Sequence, residues 1–264
     1  MSFDRIVSFE GQRLQRILPP GELGTSLEAV FFLRGPMMDR SGGDPGETWK
    51  IVGGYAAGLD LVAPAQVHGT AVVEGRRLWA LPARPKADGI YLENPQCAGS
   101  LRFADCYPVL LASAFPRPWA LMLHAGFEGT SRGIIRRSFA YLDKRAGGIR
   151  TGETFAWIGP GIGPCCYYRN KGQDPKTALG LSTLPAASWE DLGERVRFDI
   201  RKALELQLLS HGLPCSNIFS HGSCTSCNHG DFYSYRTGDS KARLFFVVRC
   251  GAEVHNFTPW WENI

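Results

Sequence analysis

Ala120-Leu121-Met122-Leu123-His124-Ala125-Gly126-Phe127-Glu128-Gly129-Thr130-Ser131 is the stretch that decides the fold. Its first four residues read as a buried strand and its two glycines as a loop. A helix is expected to begin near Thr130 or Ser131, to carry Ile134, Ile135, Phe139 and Leu142 at helical spacing, and to stop at Gly147-Gly148. Working outward, short apolar runs predict further strands at 29–33, 89–92, 109–113, 155–158 and 244–248. One more helix is expected, with Ser188 as N-cap, Asp191 three residues on, a stripe of Leu192, Val196, Ile200, Leu204 and Leu208, and an end at Gly212. Residues 34–47, rich in Gly, Pro and charge, read as a loop. Many strands with two clear helices imply an α+β fold, a mixed β-sheet core flanked by helices, in a single domain over residues 1–264.

Composition narrows the function classes. Hydrophobic residues make up 44% of the 264, enough for a sizeable core. The net charge is +4, from 29 basic and 25 acidic residues, too mild for a nucleic-acid surface but compatible with a local basic pocket. No stretch has the length of a transmembrane helix, so no membrane partner is expected, and the first residues hold no apolar h-region. A cytoplasmic, reducing setting follows as the expectation, with the eight cysteines as ligands, reactive groups or buried small side chains rather than bridges.

Three segments each place a soft ligand beside a small or rigid residue: Gln66-Val67-His68-Gly69, Ala104-Asp105-Cys106-Tyr107-Pro108 and His124-Ala125-Gly126. Brought together, His68, Cys106 and His124 make a metal site with three protein ligands and an open fourth position, the arrangement of a catalytic zinc. Taken singly, each is more often a surface histidine or a buried thiol. His124 closes a strand just before a helix, where free backbone N–H groups and Arg132 in the first turn suit an anion. A rival cluster, His221-Gly222-Ser223-Cys224-Thr225-Ser226-Cys227-Asn228-His229, holds a single Cys-x-x-Cys knuckle with no second knuckle to close a structural zinc site. Cys165 and Cys166 follow a rigid Gly-Pro loop. Asp231-Phe232-Tyr233-Ser234-Tyr235-Arg236 pairs aromatic faces with an arginine, a patch suited to a base and a phosphate.

Together these motifs resemble the YfiH family, also called the laccase-domain or purine nucleoside phosphorylase family. The matching stretches are QVHG at 66–69, AD at 87–88, ADCYPVLL at 104–111, HAG at 124–126, IGPGIGPCCY at 158–167, CT at 224–225 and FYSYR at 232–236. The resemblance implies a zinc held by His68, Cys106 and His124. It also implies a fold related to the catalytic domain of the cytotoxic necrotizing factor toxins, which use a Cys–His pair. The implied substrates are purine nucleosides and phosphate: phosphorolysis of adenosine, inosine, guanosine or methylthioadenosine, and deamination of adenosine. Asp88 and Asp105 are then candidate proton shuttles beside Cys106, and Gln66, Arg132, Tyr235, Arg236 and Arg243 candidate substrate contacts. The chain departs from the family where Phe127-Glu128 replace its Trp-Arg, exchanging a cation for an anion beside a ligand.

Two other readings come from different classes. Two histidines and a cysteine are also a copper ligand set, with Met122 on the same strand face as a possible axial ligand, and the family carries an older label as a copper-dependent polyphenol oxidase. A multicopper cluster is hard to assemble from six histidines. A non-catalytic metal-binding regulatory module would hold the metal and turn over no nucleoside.

Overall fold

The computed structural model describes residues 4–54, 58–75, 84–145, 148–172 and 174–251. The chain folds as a mixed α+β structure around two six-stranded sheets. The first sheet runs, in spatial order, Asp4–Phe9, Gln12–Ile17, Leu27–Phe32, Leu244–Cys250, Cys97–Phe103 and Asp60–Val62. The second runs Ile218–Ser220, Phe155–Ile158, Tyr107–Ser113, Trp119–Ala125, Gly89–Leu92 and Val72–Glu74. Most neighbours are antiparallel, with parallel pairs at three sheet edges. A small hairpin-based sheet joins Tyr168–Asn170, Arg195–Phe198 and Trp189–Asp191.

One hydrophobic cluster fills the space between the two large sheets, where Phe31, Phe103, Phe246 and Trp157 meet largely edge to face. A second cluster lies on the other face of the second sheet, beneath the helices Ile134–Arg145 and Ile200–Ser210. The two central strands Tyr107–Ser113 and Trp119–Ala125 are therefore covered on both faces and buried at every residue. That is why they read as continuous apolar runs and not as an alternation.

The six expected strands are present, most of them longer by one or two residues. The first expected helix is two: Phe127–Ser131, then Ile134–Arg145, which buries Ile134, Ile135, Phe139 and Leu142 as expected. Gly133 at φ +77° makes the break. Gly147 lies outside the described residues. The second helix begins later than expected, at Ile200, with Asp199 as N-cap accepting from the Lys202 N–H. Residues 189–198 form a hairpin instead, turning where Asp191 accepts from the backbone N–H of Gly193, at φ +83°. Leu192 sits exposed at that turn. The expected loop at 34–47 holds two short helices, Pro36–Ser41 and Pro45–Ile51, each with proline in its first turn.

Candidate metal centre and substrate cavity

The fold gathers the three ligand motifs at one end of the second sheet. Tyr107–Ser113 and Trp119–Ala125 are antiparallel, with Tyr107 opposite Ala125 and Pro108 opposite His124. Cys106, just before one strand, thus lies beside His124, near the end of the other. Gly89 opposes Leu123 in the next pair, and the His124 N–H donates to the Asp88 carbonyl. Asp88 then ties in the remaining segment. Its carboxylate accepts from the backbone N–H groups of Val67, His68 and Gly69 at 3.1, 3.0 and 2.7 Å, and faces His124 Nδ1 at 2.8 Å. Consequently one ligand atom each from His68, Cys106 and His124 lies within 4.8 Å of the others.

Local backbone geometry serves the convergence. His68 and Asp105, neither of them glycine, adopt φ of +59° and +82°. The Asp105 conformation is held by its own acceptors: its carboxylate takes hydrogen bonds from Thr225 Oγ1 and the Arg236 N–H, and its carbonyl one from the Ile162 N–H. Gly126 must lack a side chain, since a Cβ there would come within 2.8 Å of Cys106 Sγ and 3.1 Å of the His68 ring.

The electrostatics suit a cation. Burial, partly opposed by the Asp88 hydrogen bond, holds the His124 imidazole below its ordinary pKa, so it is neutral. Burial pulls the Asp88 carboxyl the other way, but the combined hydrogen bonds from His124, Gly69 and Val67 outweigh it and keep Asp88 ionised. With Nδ1–H directed at Asp88, His124 has Nε2 left as a ligand atom. Burial, with Asp105 and Asp88 nearby, pushes the Cys106 thiol up to about 12. Such a thiol is no nucleophile at neutral pH, which weighs against a Cys–His pair acting alone; a bound divalent cation would ionise it outright. Two imidazoles and one thiolate, backed by a buried carboxylate, fit a zinc or copper ion with a position left over.

His68, Cys106 and His124 line a cavity of about 780 Å³. Among the described residues, Arg102, Arg169, Arg236, Lys241 and Arg243 also line it, against a single carboxylate, Asp105. Tyr167 and Tyr235 supply aromatic surface, Tyr235 being 70% exposed. The Arg236 guanidinium lies 5.7 Å from the centre of the Tyr167 ring. Arg102 is largely desolvated, which lowers it to about 10, and donates to the Gly43 carbonyl. A second cavity, of about 470 Å³ around Leu23, Phe115, Phe155 and Phe219, gathers no ligand cluster among the described residues.

Three of the expected site residues are held by other partners. Asp88 is fully buried and engaged by four donors, so it orients His68 and His124 and is not placed as a proton shuttle. Gln66 lines the cavity, but its amide exchanges hydrogen bonds with the backbone N–H and carbonyl of Arg102. Arg132 does not line the cavity; it pairs with Glu128 one turn back on the short helix. Glu128 also pairs with Lys176 at 2.8 Å, and that hydrogen bond, with the neighbouring cations, lowers its pKa. The family's missing cation is thus replaced by an anion that is itself neutralised outside the cavity. Met122, the possible axial copper ligand, packs in the intersheet core, its sulfur against Gly99. Arg102, Arg169 and Lys241 were not anticipated, because nothing local distinguishes them from solvated cations. Cys165, Cys166, Cys224 and Cys227 form a second cluster, whereas His221 and His229 take no part in it.

Comparison with known proteins agrees with this architecture. The purine nucleoside phosphorylase YlmD of Geobacillus stearothermophilus is 34% identical over 177 residues, covering 63% of this chain and 61% of that protein. The purine nucleoside phosphorylase YfiH of Escherichia coli is 27% identical over 180 residues, covering 68% of this chain and 69% of that protein. The crystal structure of YlmD from Geobacillus stearothermophilus superposes with a TM-score of 0.76 at 24% identity, over 94% of this chain and all of that one, a likeness of fold. A family model described as multi-copper polyphenol oxidoreductase laccase matches residues 53–248. The chain therefore belongs to this laccase-domain family, the family of the YfiH and YlmD proteins.

Proposed function

We propose that this protein is a zinc-dependent purine nucleoside phosphorylase, its zinc held by His68, Cys106 and His124. The observation that carries the reading is the placement of that ligand set in the wall of a cavity with five cations and one carboxylate. A nucleoside and an inorganic phosphate are the pair that such a wall suits, and relatives bearing the phosphorylase name support it. When bound, zinc supplies Lewis-acid polarisation and lowers the pKa of bound water. Arg236, Lys241 and Arg243 hold the phosphate by charge-assisted hydrogen bonds. Tyr235, exposed at the mouth, offers its ring face to the base. Asp105 is the carboxylate that faces the substrate and moves a proton. Asp88 fixes the His124 tautomer, and the buried strand ends keep the ligands from shifting. Adenosine, inosine, guanosine and methylthioadenosine are the expected substrates. A reducing cytoplasmic setting is the expected location.

Adenosine deamination is the second reading. Asp105 favours it, because hydrolysis at the purine C6 needs an acid–base group but no phosphate. Copper oxidase chemistry is less well supplied. Of the six histidines, only His68 and His124 line the cavity among the described residues, too few for a multinuclear copper centre. No helix among the described residues is long and apolar enough to cross a membrane.

The test is incubation of the zinc-loaded protein with adenosine and phosphate, followed by chromatography. Adenine and ribose 1-phosphate support phosphorolysis, and Cys106→Ala should abolish their formation. Phosphate-independent inosine would establish deamination instead. Retained metal without any turnover would overturn both in favour of a non-catalytic module.

A further inference from the structure

The second cysteine cluster joins two loops that lie far apart in sequence. Cys165 and Cys166 close the rigid loop that follows the strand Phe155–Ile158. Cys224 and Cys227 form the knuckle that follows the strand Ile218–Ser220. Those strands are parallel neighbours, and the pairing continues past their ends in a bridge between Gly161 and Cys224. The bridge delivers both loops to one point. All four cysteines are free, yet their sulfurs lie within 4.8 Å of one another, with Cys227 Sγ 3.4 Å from both Cys165 Sγ and Cys166 Sγ. A zinc ion with arms of about 2.3 Å in a tetrahedron separates its sulfurs by roughly 3.8 Å. The two 3.4 Å spacings fall about 0.4 Å short of that edge and no pair exceeds 4.8 Å, so small side-chain shifts admit the ion. The Gly163 N–H donates to Cys224 Sγ at 3.1 Å, a second contact that favours a thiolate there.

We infer that Cys165, Cys166, Cys224 and Cys227 hold a structural zinc ion, separate from the site at His68, Cys106 and His124. Four thiolates leave no open position, so the site is structural and not catalytic. Zinc suits it better than a redox metal, because Cys165 and Cys227 are exposed to solvent. The ion would pin the 158–167 loop to the 221–229 loop. That clamp borders the substrate cavity: Thr225, next to Cys224, holds Asp105 through its hydroxyl, and Ile162 of the other loop donates to the Asp105 carbonyl. Asp105 adjoins the ligand Cys106. The clamp therefore sets the turn from which Cys106 projects.

The decisive preparation is the full chain carrying His68→Ala and Cys106→Ala, which removes the first site and leaves the four cysteines intact. Expressed with zinc and desalted, it should retain about one zinc per chain by elemental analysis. After exchange with cobalt(II) it should show the strong visible bands of a tetrahedral centre and intense thiolate-to-cobalt charge transfer. Adding Cys165→Ser and Cys227→Ser should abolish both signals. The unaltered protein, which needs no variant to fold, should hold about two zinc ions per chain, one at each site. A zinc-free His68→Ala/Cys106→Ala protein, a cobalt spectrum without thiolate charge transfer, or peptide mapping that finds a disulfide among the four would overturn the inference. None of these results depends on whether the protein turns over a nucleoside.

Discussion

Asp88→Asn isolates the residue on which the geometry of the first metal site turns. In the wild type, one carboxylate oxygen faces the His68 N–H and His124 Nδ1, and the other accepts from the Val67 and Gly69 N–H groups. An asparagine keeps one acceptor oxygen and turns an NH2 group toward the other two donors. Two donors lose their partner, and each loss costs about 1–3 kcal/mol. Some relaxation is open at the partly exposed 67–69 turn, so a net loss of about 2–4 kcal/mol is expected. For a chain of this size that lowers Tm by roughly 5–15 °C. Loss of a carboxylate behind a histidine ligand typically weakens metal binding by about 10–100-fold. Zinc affinity should be read by competition with a colorimetric chelator, on the equivalent that Cys106→Ala abolishes, and Tm by calorimetry of the metal-free protein. A variant with unchanged affinity and unchanged Tm would refute the claim that Asp88 organises the ligands. A fall in Tm alone would show Asp88 to be structural without tuning the metal.

Other perturbations probe the cavity and the charges around it. Arg236→Ala should raise the KM for phosphate roughly tenfold, the loss of about 1.4 kcal/mol of charge-assisted contact, with a smaller effect on the KM for nucleoside; an unchanged phosphate KM would remove Arg236 from the anion site. Glu128→Gln breaks pairs to Arg132 and Lys176, whose side chains are 56% and 59% exposed, so the cost should stay within about 1 kcal/mol, with the phosphate KM altered by less than roughly twofold. A large drop in that KM would show that Glu128 opposes the anion after all. Stability of the metal-free protein should fall on acidification from about pH 7 to about pH 5, because unfolded His124 takes up a proton near pH 6.5 that the folded, desolvated imidazole refuses. Asp88 acts in the same direction at lower pH, its contribution being present above about 3.9 and lost as pH falls through its depressed folded value. A Tm that is flat or rising over the first of these ranges would contradict the buried, neutral state assigned to His124.

What was legible in the sequence depended on how local the determinants are. His68, Cys106 and His124 each sit at a strand end or turn, beside a glycine or proline that marks it, and the motifs resemble a family. The role of Asp88 was not legible: the backbone N–H groups it serves belong to a turn about twenty residues away and leave no trace in side-chain spacing. The four-cysteine cluster escaped for a similar reason. Adjacent Cys165 and Cys166 do not have knuckle spacing, and only the Gly161–Cys224 bridge brings them to Cys224 and Cys227. Residues 188–198 misled because Leu192 and Val196 stand four apart, as on a helix face. The glycine at 193 and the alternation Arg195-Val196-Arg197-Phe198 favour a hairpin that buries Val196 and Phe198 and leaves Leu192 at the turn. Arg132 was placed by its position in a helix turn, yet the nearer acid, Glu128, claims it.

The central claim is that His68, Cys106 and His124 hold one divalent ion with a position open to the cavity. Anomalous diffraction at the zinc edge, from crystals of the zinc-loaded protein, tests it most directly. A peak should stand about 2.0–2.1 Å from a nitrogen of each of His68 and His124 and about 2.3 Å from Cys106 Sγ, with a fourth ligand that is water or phosphate. Absence of a peak among these three side chains, or a fourth protein ligand closing the site, would contradict the account.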